Sequence, residues 1–180
     1  MSKVALSGNV LGTGTITLAA PNTNSTVTLN LPAATGTVDT LQRAGNVLQV
    51  VQFTLTAQFT TTVKSMVGTT LQVSITPTRA SSKILVLAQG NGRAIAPAGN
   101  NCFYDVDLRR NGTMVWYGFA QGGNFGSTDI RVPISIMHLD SPASTSSITY
   151  QVFMSSTYAS QVYMNGDSGT STITVMEIAA

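Results

Sequence analysis

Phe103-Tyr104-Asp105-Val106-Asp107-Leu108-Arg109-Arg110-Asn111-Gly112-Thr113-Met114-Val115-Trp116-Tyr117-Gly118-Phe119 is the stretch that decides the fold. Two runs of alternating polar and apolar residues flank a central Asn-Gly pair. Alternation with period two places every second side chain on one face of a strand. Asn-Gly tolerates the positive φ that both central positions of a type I′ turn require. The stretch therefore reads as a β-hairpin, with Arg110 opposite Thr113, Leu108 opposite Val115 and Val106 opposite Tyr117. In that register Tyr104, Val106, Leu108, Val115, Tyr117 and Phe119 form the core face. The other face carries Phe103, Asp105, Asp107, Arg109, Met114 and Trp116. Aromatics, Met and Arg are enriched at protein interfaces and supply their usual anchors. Phe103, Arg109, Met114 and Trp116 are thus the candidate interface residues.

The same period runs outward from the hairpin. Phe53, Leu55, Ala57 and Phe59 alternate with polar residues, and Leu71, Val73 and Ile75 lead to Pro77. Ile84-Leu85-Val86-Leu87-Ala88, after Lys83, is a continuous apolar run, as expected of a strand covered on both faces. Further strands are expected at residues 130–139, 148–154, 161–164 and 172–178. Turn signals separate them: Pro77-Thr78, Gly90-Asn91-Gly92, Gly122-Gly123-Asn124, Ser141-Pro142 and Asn165-Gly166-Asp167. No segment has helical spacing. Many short strands so spaced predict an all-β sandwich or barrel.

Residues 1–44 are of another kind. No aromatic precedes Phe53, and Lys3 and Asp39 are the only side-chain charges from Met1 to Thr40. Thr15-Ile16-Thr17-Leu18 and Thr26-Val27-Thr28-Leu29-Asn30-Leu31 still alternate as short strands do. Strands that cannot bury a face within their own segment must bury it elsewhere. Ile16, Leu18, Val27, Leu29 and Leu31 are therefore expected to dock on a partner, giving backbone pairing with apolar side chains setting register. The turn pair in Gly45-Asn46 marks the boundary: an extended arm over 1–44 and a globular domain over 45–180.

Of the 180 residues, 43% are hydrophobic but only 9% are charged, against roughly 25% in an average soluble domain. Thr, Ser, Asn and Gln supply the polarity. So little charge suits a surface partly covered by copies of the same chain. A net charge of +2 with no basic cluster beyond Arg109-Arg110 argues against nucleic acid as a partner. No apolar run approaches the roughly 20 residues of a membrane span, and the N-terminus lacks the apolar run of a secretory signal. The lone Cys102 allows no intrachain disulfide.

Catalytic chemistry finds little footing. His138 is the only histidine and shares a strand face with Ile134 and Ile136, as a structural histidine would. Glu177 is the only glutamate. Asp105 and Asp107 share a face and could hold a cation or act as an acid/base pair, but Arg109 stands two positions on to neutralise one of them. There is no Gly-x-Ser-x-Gly elbow, and neither Gly12-Thr13-Gly14 nor Gly90-Asn91-Gly92 opens a helix as a phosphate loop must. No catalytic residue, metal site or cofactor is expected, and the chain reads as a non-enzyme.

A resemblance adds to this reading. Residues 12–25, Gly-Thr-Gly-Thr-Ile-Thr-Leu-Ala-Ala-Pro-Asn-Thr-Asn-Ser, and their continuation through Thr28-Leu29-Asn30-Leu31-Pro32 to Val38, resemble a segment of tailed-bacteriophage fibre-like virion proteins. Gly45 to Gln52 looks like the junction that follows it. Ser74-Ile75-Thr76-Pro77, Ser81 to Val86 and the ending Ile173 to Ala180 are similar to the jelly-roll domains of such proteins. The resemblance implies a homotrimer whose domain is a jelly roll like that of tumour necrosis factor or C1q. The length of the chain suits a capsid decoration protein, docked by its arm on the major capsid protein at the virion surface. It also suits a short fibre tip carried by a tail or baseplate protein.

Overall fold

The computed structural model describes residues 43–98, 102–121, 129–156, 159 and 161–180, with residues 12, 13, 22, 24 and 26 of the segment before them. The chain divides into two units, Met1–Val38 and Asp39–Ala180. All ten strands of the described residues lie in the second. They are β1 (Val47–Leu55), β2 (Phe59–Thr61), β3 (Val67–Ile75), β4 (Lys83–Ile95), β5 (Phe103–Arg110), β6 (Thr113–Gln121), β7 (Asp129–Asp140), β8 (Ile148–Ser155), β9 (Gln161–Met164) and β10 (Ser171–Ile178). No helix occurs among the described residues. The arm positions Ile16, Leu18, Val27, Leu29 and Leu31 lie outside them.

Every strand pair is antiparallel. One sheet has the order β3-β8-β5-β6. In the other, β4 carries β7 along one edge, while β10 and then β9 share its other edge. Beyond them β1 pairs with β10, and β2 with β9. This first sheet is thus four strands wide, β1/β2, β10/β9, β4 and β7, with both outer positions on the β1 side broken part-way. The chain passes from sheet to sheet at most connections and stays within the second sheet at the β5–β6 hairpin. That is the jelly-roll sandwich.

Period-two alternation builds the core between the sheets. Ile84, Val86, Ala88 and Ala94 of β4, Ile134 and Ile136 of β7, and Ile173 and Val175 of β10 point inward. They meet Leu71, Val73 and Ile75 of β3, Tyr104, Val106 and Leu108 of β5, and Tyr150, Val152 and Met154 of β8. Each fully buried aliphatic side chain contributes roughly 1.5–3 kcal/mol. Pro133 lies within β7, which is tolerable because β7 pairs on one side only.

Two sequence expectations need correction. Gly90-Asn91-Gly92 is not a turn but part of β4. Its glycines make room for neighbours: a Cβ at Gly92 would lie 2.0 Å from the Tyr104 hydroxyl, which reaches across the sandwich to donate to the Val132 carbonyl at 2.7 Å. The hairpin register also differs. Asn111 and Gly112 form the turn with φ of 48° and 84°, and Arg110 pairs with Thr113 and Arg109 with Met114. Leu108, however, pairs with Trp116, so Val115 is an extra residue in a β-bulge. Past the bulge each β6 side chain changes face. Trp116 packs against the core, and Tyr117, expected inside, is 54% exposed. The indole lies over Gly118, where a Cβ would come within 2.1 Å of a ring carbon. A bulge that turns the largest side chain of the hairpin inward gains more burial than the regular register would.

Candidate functional site

The candidate interface on the second sheet is largely engaged within the chain. Arg109 donates to both oxygens of Asp107, at 3.2, 3.1 and 2.9 Å. Its guanidinium also lies 4.1 Å from the centre of the Phe153 ring. Asp107 is almost wholly covered. Asp105 accepts from the Tyr117 hydroxyl at 3.0 Å and the Ser155 hydroxyl at 3.2 Å. Phe103 is half-buried, and Trp116 is half-buried against the core. Of the four residues Phe103, Arg109, Met114 and Trp116, only Met114 is exposed, at 56%. The two aspartates are used for internal order, and no group of His, Cys, Asp or Glu among the described residues could hold a metal ion. His138 is half-buried in β7.

The outer face of the first sheet is different. Directly opposed residues form rows across its strands. Val50, Met176, Leu85 and Leu139 make one row, apolar across all four strands. Gln52, Thr174, Leu87 and Met137 make the next, followed by Thr54, Thr172, Gln89 and Ser135. Val50, Leu139 and Met137 are 55%, 52% and 73% exposed. Leu85 and Leu87 are half-buried, so the apolar run in β4 is covered on one face only by the described residues. The face grades from apolar, through neutral polar, to charged.

At the charged end Arg93 of β4 and Arg131 of β7 stand directly opposite each other. Like charges so placed repel, and two aspartates resolve the repulsion. Arg93 donates to Asp129 through Nε at 2.9 Å and Nη2 at 2.7 Å, and lies 3.3 Å from Asp167. Arg131 donates through Nε to Asp167 and stands 3.6 Å from Asp129. The four side chains form a closed ring of alternating charge. Hydrogen bonding from Arg93 holds the Asp129 carboxyl below its ordinary pKa, and that from Arg131 does the same for Asp167. The aspartates in turn raise both guanidinium groups.

Asp167 reaches the ring from the turn between β9 and β10, and buried Asn165 pins that turn. With φ of 58°, Asn165 donates its backbone N–H to the Asn91 carbonyl at 2.9 Å and its side-chain amide to the Leu55 carbonyl at 2.9 Å. Its amide oxygen accepts from Ser171 at 2.7 Å. The ring, Asn91, Pro133 and Gly166 wall a hollow of about 260 Å³. A second hollow of about 470 Å³ adjoins it, sharing Asn91 and Pro133 and lined by Gln89, Ser135, Thr170 and Thr172. Sequence reading missed both the apolar row and the ring. Alternation alone sends Arg93, Arg131, Leu85 and Leu139 outward, but no local signal says that β4 and β7 pair.

No known protein family matches the chain, and no curated protein does. Among solved structures, the VP2 subviral particle of infectious bursal disease virus matches over 73% of this chain and 33% of its own, at 11% identity and a TM-score of 0.39. T=1 particles derived from the same virus match over 75% and 37%, at 12% identity and a TM-score of 0.36. The EclA C-terminal domain, a sugar-binding protein, matches over 73% and 80%, at 17% identity and a TM-score of 0.34. The chain spans about a third of the length of the capsid-protein chains it matches. Overlaps this loose carry no argument about function.

Proposed function

We propose that this chain is a non-enzymatic structural protein of a tailed-phage virion. In this reading it is a homotrimeric capsid decoration protein, docked on the major capsid protein by residues 1–44 and exposed at the virion surface. The observation that carries self-association is the row Val50–Met176–Leu85–Leu139, apolar across four strands and uncovered by the described residues. Contiguous exposed apolar surface marks an interaction site, and copies of the same chain would bury it. The low charge content and the resemblance to fibre-like virion proteins support the same reading. For the arm the support is sequence alone: alternating strands without a core of their own.

A stained gel of purified virions tests the assignment through copy number, with hundreds of copies expected for a decoration protein. A truncation beginning at Gly45, mixed with particles lacking the protein, tests the arm. It should remain trimeric by light scattering and fail to bind. Binding equal to that of the full chain would move the docking surface onto the domain. A second reading, a receptor-binding fibre tip on a tail or baseplate protein, is favoured by the open hollows at the polar end of the first sheet. Few copies per virion, with adsorption lost on deletion, would decide for it.

A further inference from the structure

We propose that the two adjoining hollows on the outer face of the first sheet bind a neutral glycan. One sugar ring would sit within the Arg93–Asp129–Arg131–Asp167 ring and the next over Gln89, Ser135 and Thr172. The proposal holds whether the protein sits on head or tail.

The charge balance sets the class of ligand. Two arginines and two aspartates cancel, so the first hollow has no net pull on an anion or a cation. An anionic sugar, phosphate or nucleic acid would bring its charge against Asp129 and Asp167. What the ring offers is hydrogen bonding. A guanidinium has five N–H donors and a carboxylate about four lone-pair sites, more than the ring itself uses. Arg131 and Asp167 keep 57% and 49% of their side-chain surface open. A sugar hydroxyl both donates and accepts, so adjacent fixed donors and acceptors suit it. Ion pairs as exposed as Arg131–Asp167 add little to stability, so stability alone does not account for a closed ring of four.

Order and shape fit as well. Arg93 and Arg131 rise from paired strands, and Asn165 holds the turn that carries Asp167. Groups already fixed lose less freedom on binding. Close approach of that turn needs glycine, since a Cβ at Gly169 would lie 2.3 Å from the Asn91 amide nitrogen. Pro133 gives an apolar floor for the C–H face of a pyranose. At about 260 Å³, the first hollow falls just below the roughly 300–1,000 Å³ of pockets for drug-sized ligands, which suits one ring. The second hollow carries only neutral hydrogen-bonding groups, Gln89, Ser135, Thr170 and Thr172, beside Pro133 and Ile134. Both lie away from the apolar row: Arg93 is eight residues along β4 from Leu85, about 26 Å at ~3.3 Å per residue.

Saturation-transfer NMR on the full chain tests this. The probes are glucose, galactose, mannose, N-acetylglucosamine, lactose and maltose, with N-acetylneuraminic acid as the anionic comparison. We expect transfer to at least one neutral sugar, stronger for a disaccharide than for its component sugar. Asp167→Ala should weaken binding at least tenfold with an unchanged melting temperature. Ser135→Leu, which fills the second hollow, should weaken the disaccharide and leave the single sugar unaffected. Absence of transfer to every neutral sugar, equal transfer to both variants, or a preference for the anionic sugar would each overturn the proposal.

Discussion

The first sheet turns Val50, Met176, Leu85 and Leu139 outward in one row, whereas the second turns out Asp105, Asp107 and Arg109, each with a partner in the chain. The difference shows how a chain with so little charge uses it. All six described carboxylates accept a hydrogen bond from a named side chain: Asp105 from Tyr117, Asp107 from Arg109, Asp129 from Arg93, Asp140 from Arg110 and Tyr150, Asp167 from Arg131, and Glu177 from Gln49 and Thr78. Acidic groups serve internal order and do little to keep the surface wet. The second sheet completes its outer face by itself. The first leaves apolar surface that only another molecule can cover.

The largest effect expected is on assembly. Met137→Lys combined with Leu139→Lys places two charges on the exposed edge strand β7, where lysine commonly blocks association. Light scattering should then report a monomer with unchanged circular dichroism, since exposed substitutions of this kind cost within about 0.5 kcal/mol of chain stability. A trimer that survives both charges would remove the first sheet from the interface. On the second sheet the expected loss is in the fold itself. Arg109→Met keeps the covering stem but leaves Asp107 buried without its counter-charge. That costs about 3 kcal/mol, or roughly 6–12 °C in melting temperature for a domain of this size, with the oligomeric state unchanged. No loss in melting temperature would mean that the second face is not held by its charge pairs.

Smaller effects sharpen the contrast. Gly112→Val puts a β-branched residue at φ of 84° with open space around the new Cβ, so backbone strain alone acts, about 1–2 kcal/mol. Gly112→Asn should recover most of it in a urea titration, because Asn tolerates that region. An unchanged midpoint for the valine variant would remove the turn from the hairpin's support. The smallest effect concerns Glu177, buried beside Gln49 and Thr78. Burial alone would raise its pKa, but hydrogen bonds led by Gln49 outweigh that and hold it below its ordinary value. A depressed folded pKa stabilises above the unfolded value, about 4.3, and that stability is lost as the pH falls through the folded pKa. The melting temperature should therefore drop in acid below about pH 4.3, and less steeply for Glu177→Gln. Equal slopes would take Glu177 out of the acid response.

Strands and turns with local signatures were legible in the sequence. Leu71, Val73 and Ile75, the apolar start of β4, and Asn111-Gly112 all lie where period and turn chemistry put them. What escaped depends on distant residues. The glycines of Gly90-Asn91-Gly92 look like turn formers until Tyr104 arrives from the opposite sheet to fill the space above Gly92. The bulge at Val115 depends on the core accepting an indole, and so the hairpin faces were exchanged beyond Met114. The charged ring draws on β4, β7 and the turn before β10, which no local pattern joins.

Tyr104 and its neighbours also enclose Cys102, the single cysteine, whose thiol donates to the Ala94 carbonyl at 3.1 Å and whose pKa burial pushes up. A thiol so held is inert to alkylating reagents while the sandwich is closed. Its rate of modification therefore counts the moments at which the ends of β4 and β5 part, and with reagent in excess it approaches the opening rate itself. The chain thus carries a native clock for its own breathing. That clock can be read without mutation or dye, and the same measurement on free and assembled protein gives the degree to which neighbours slow it.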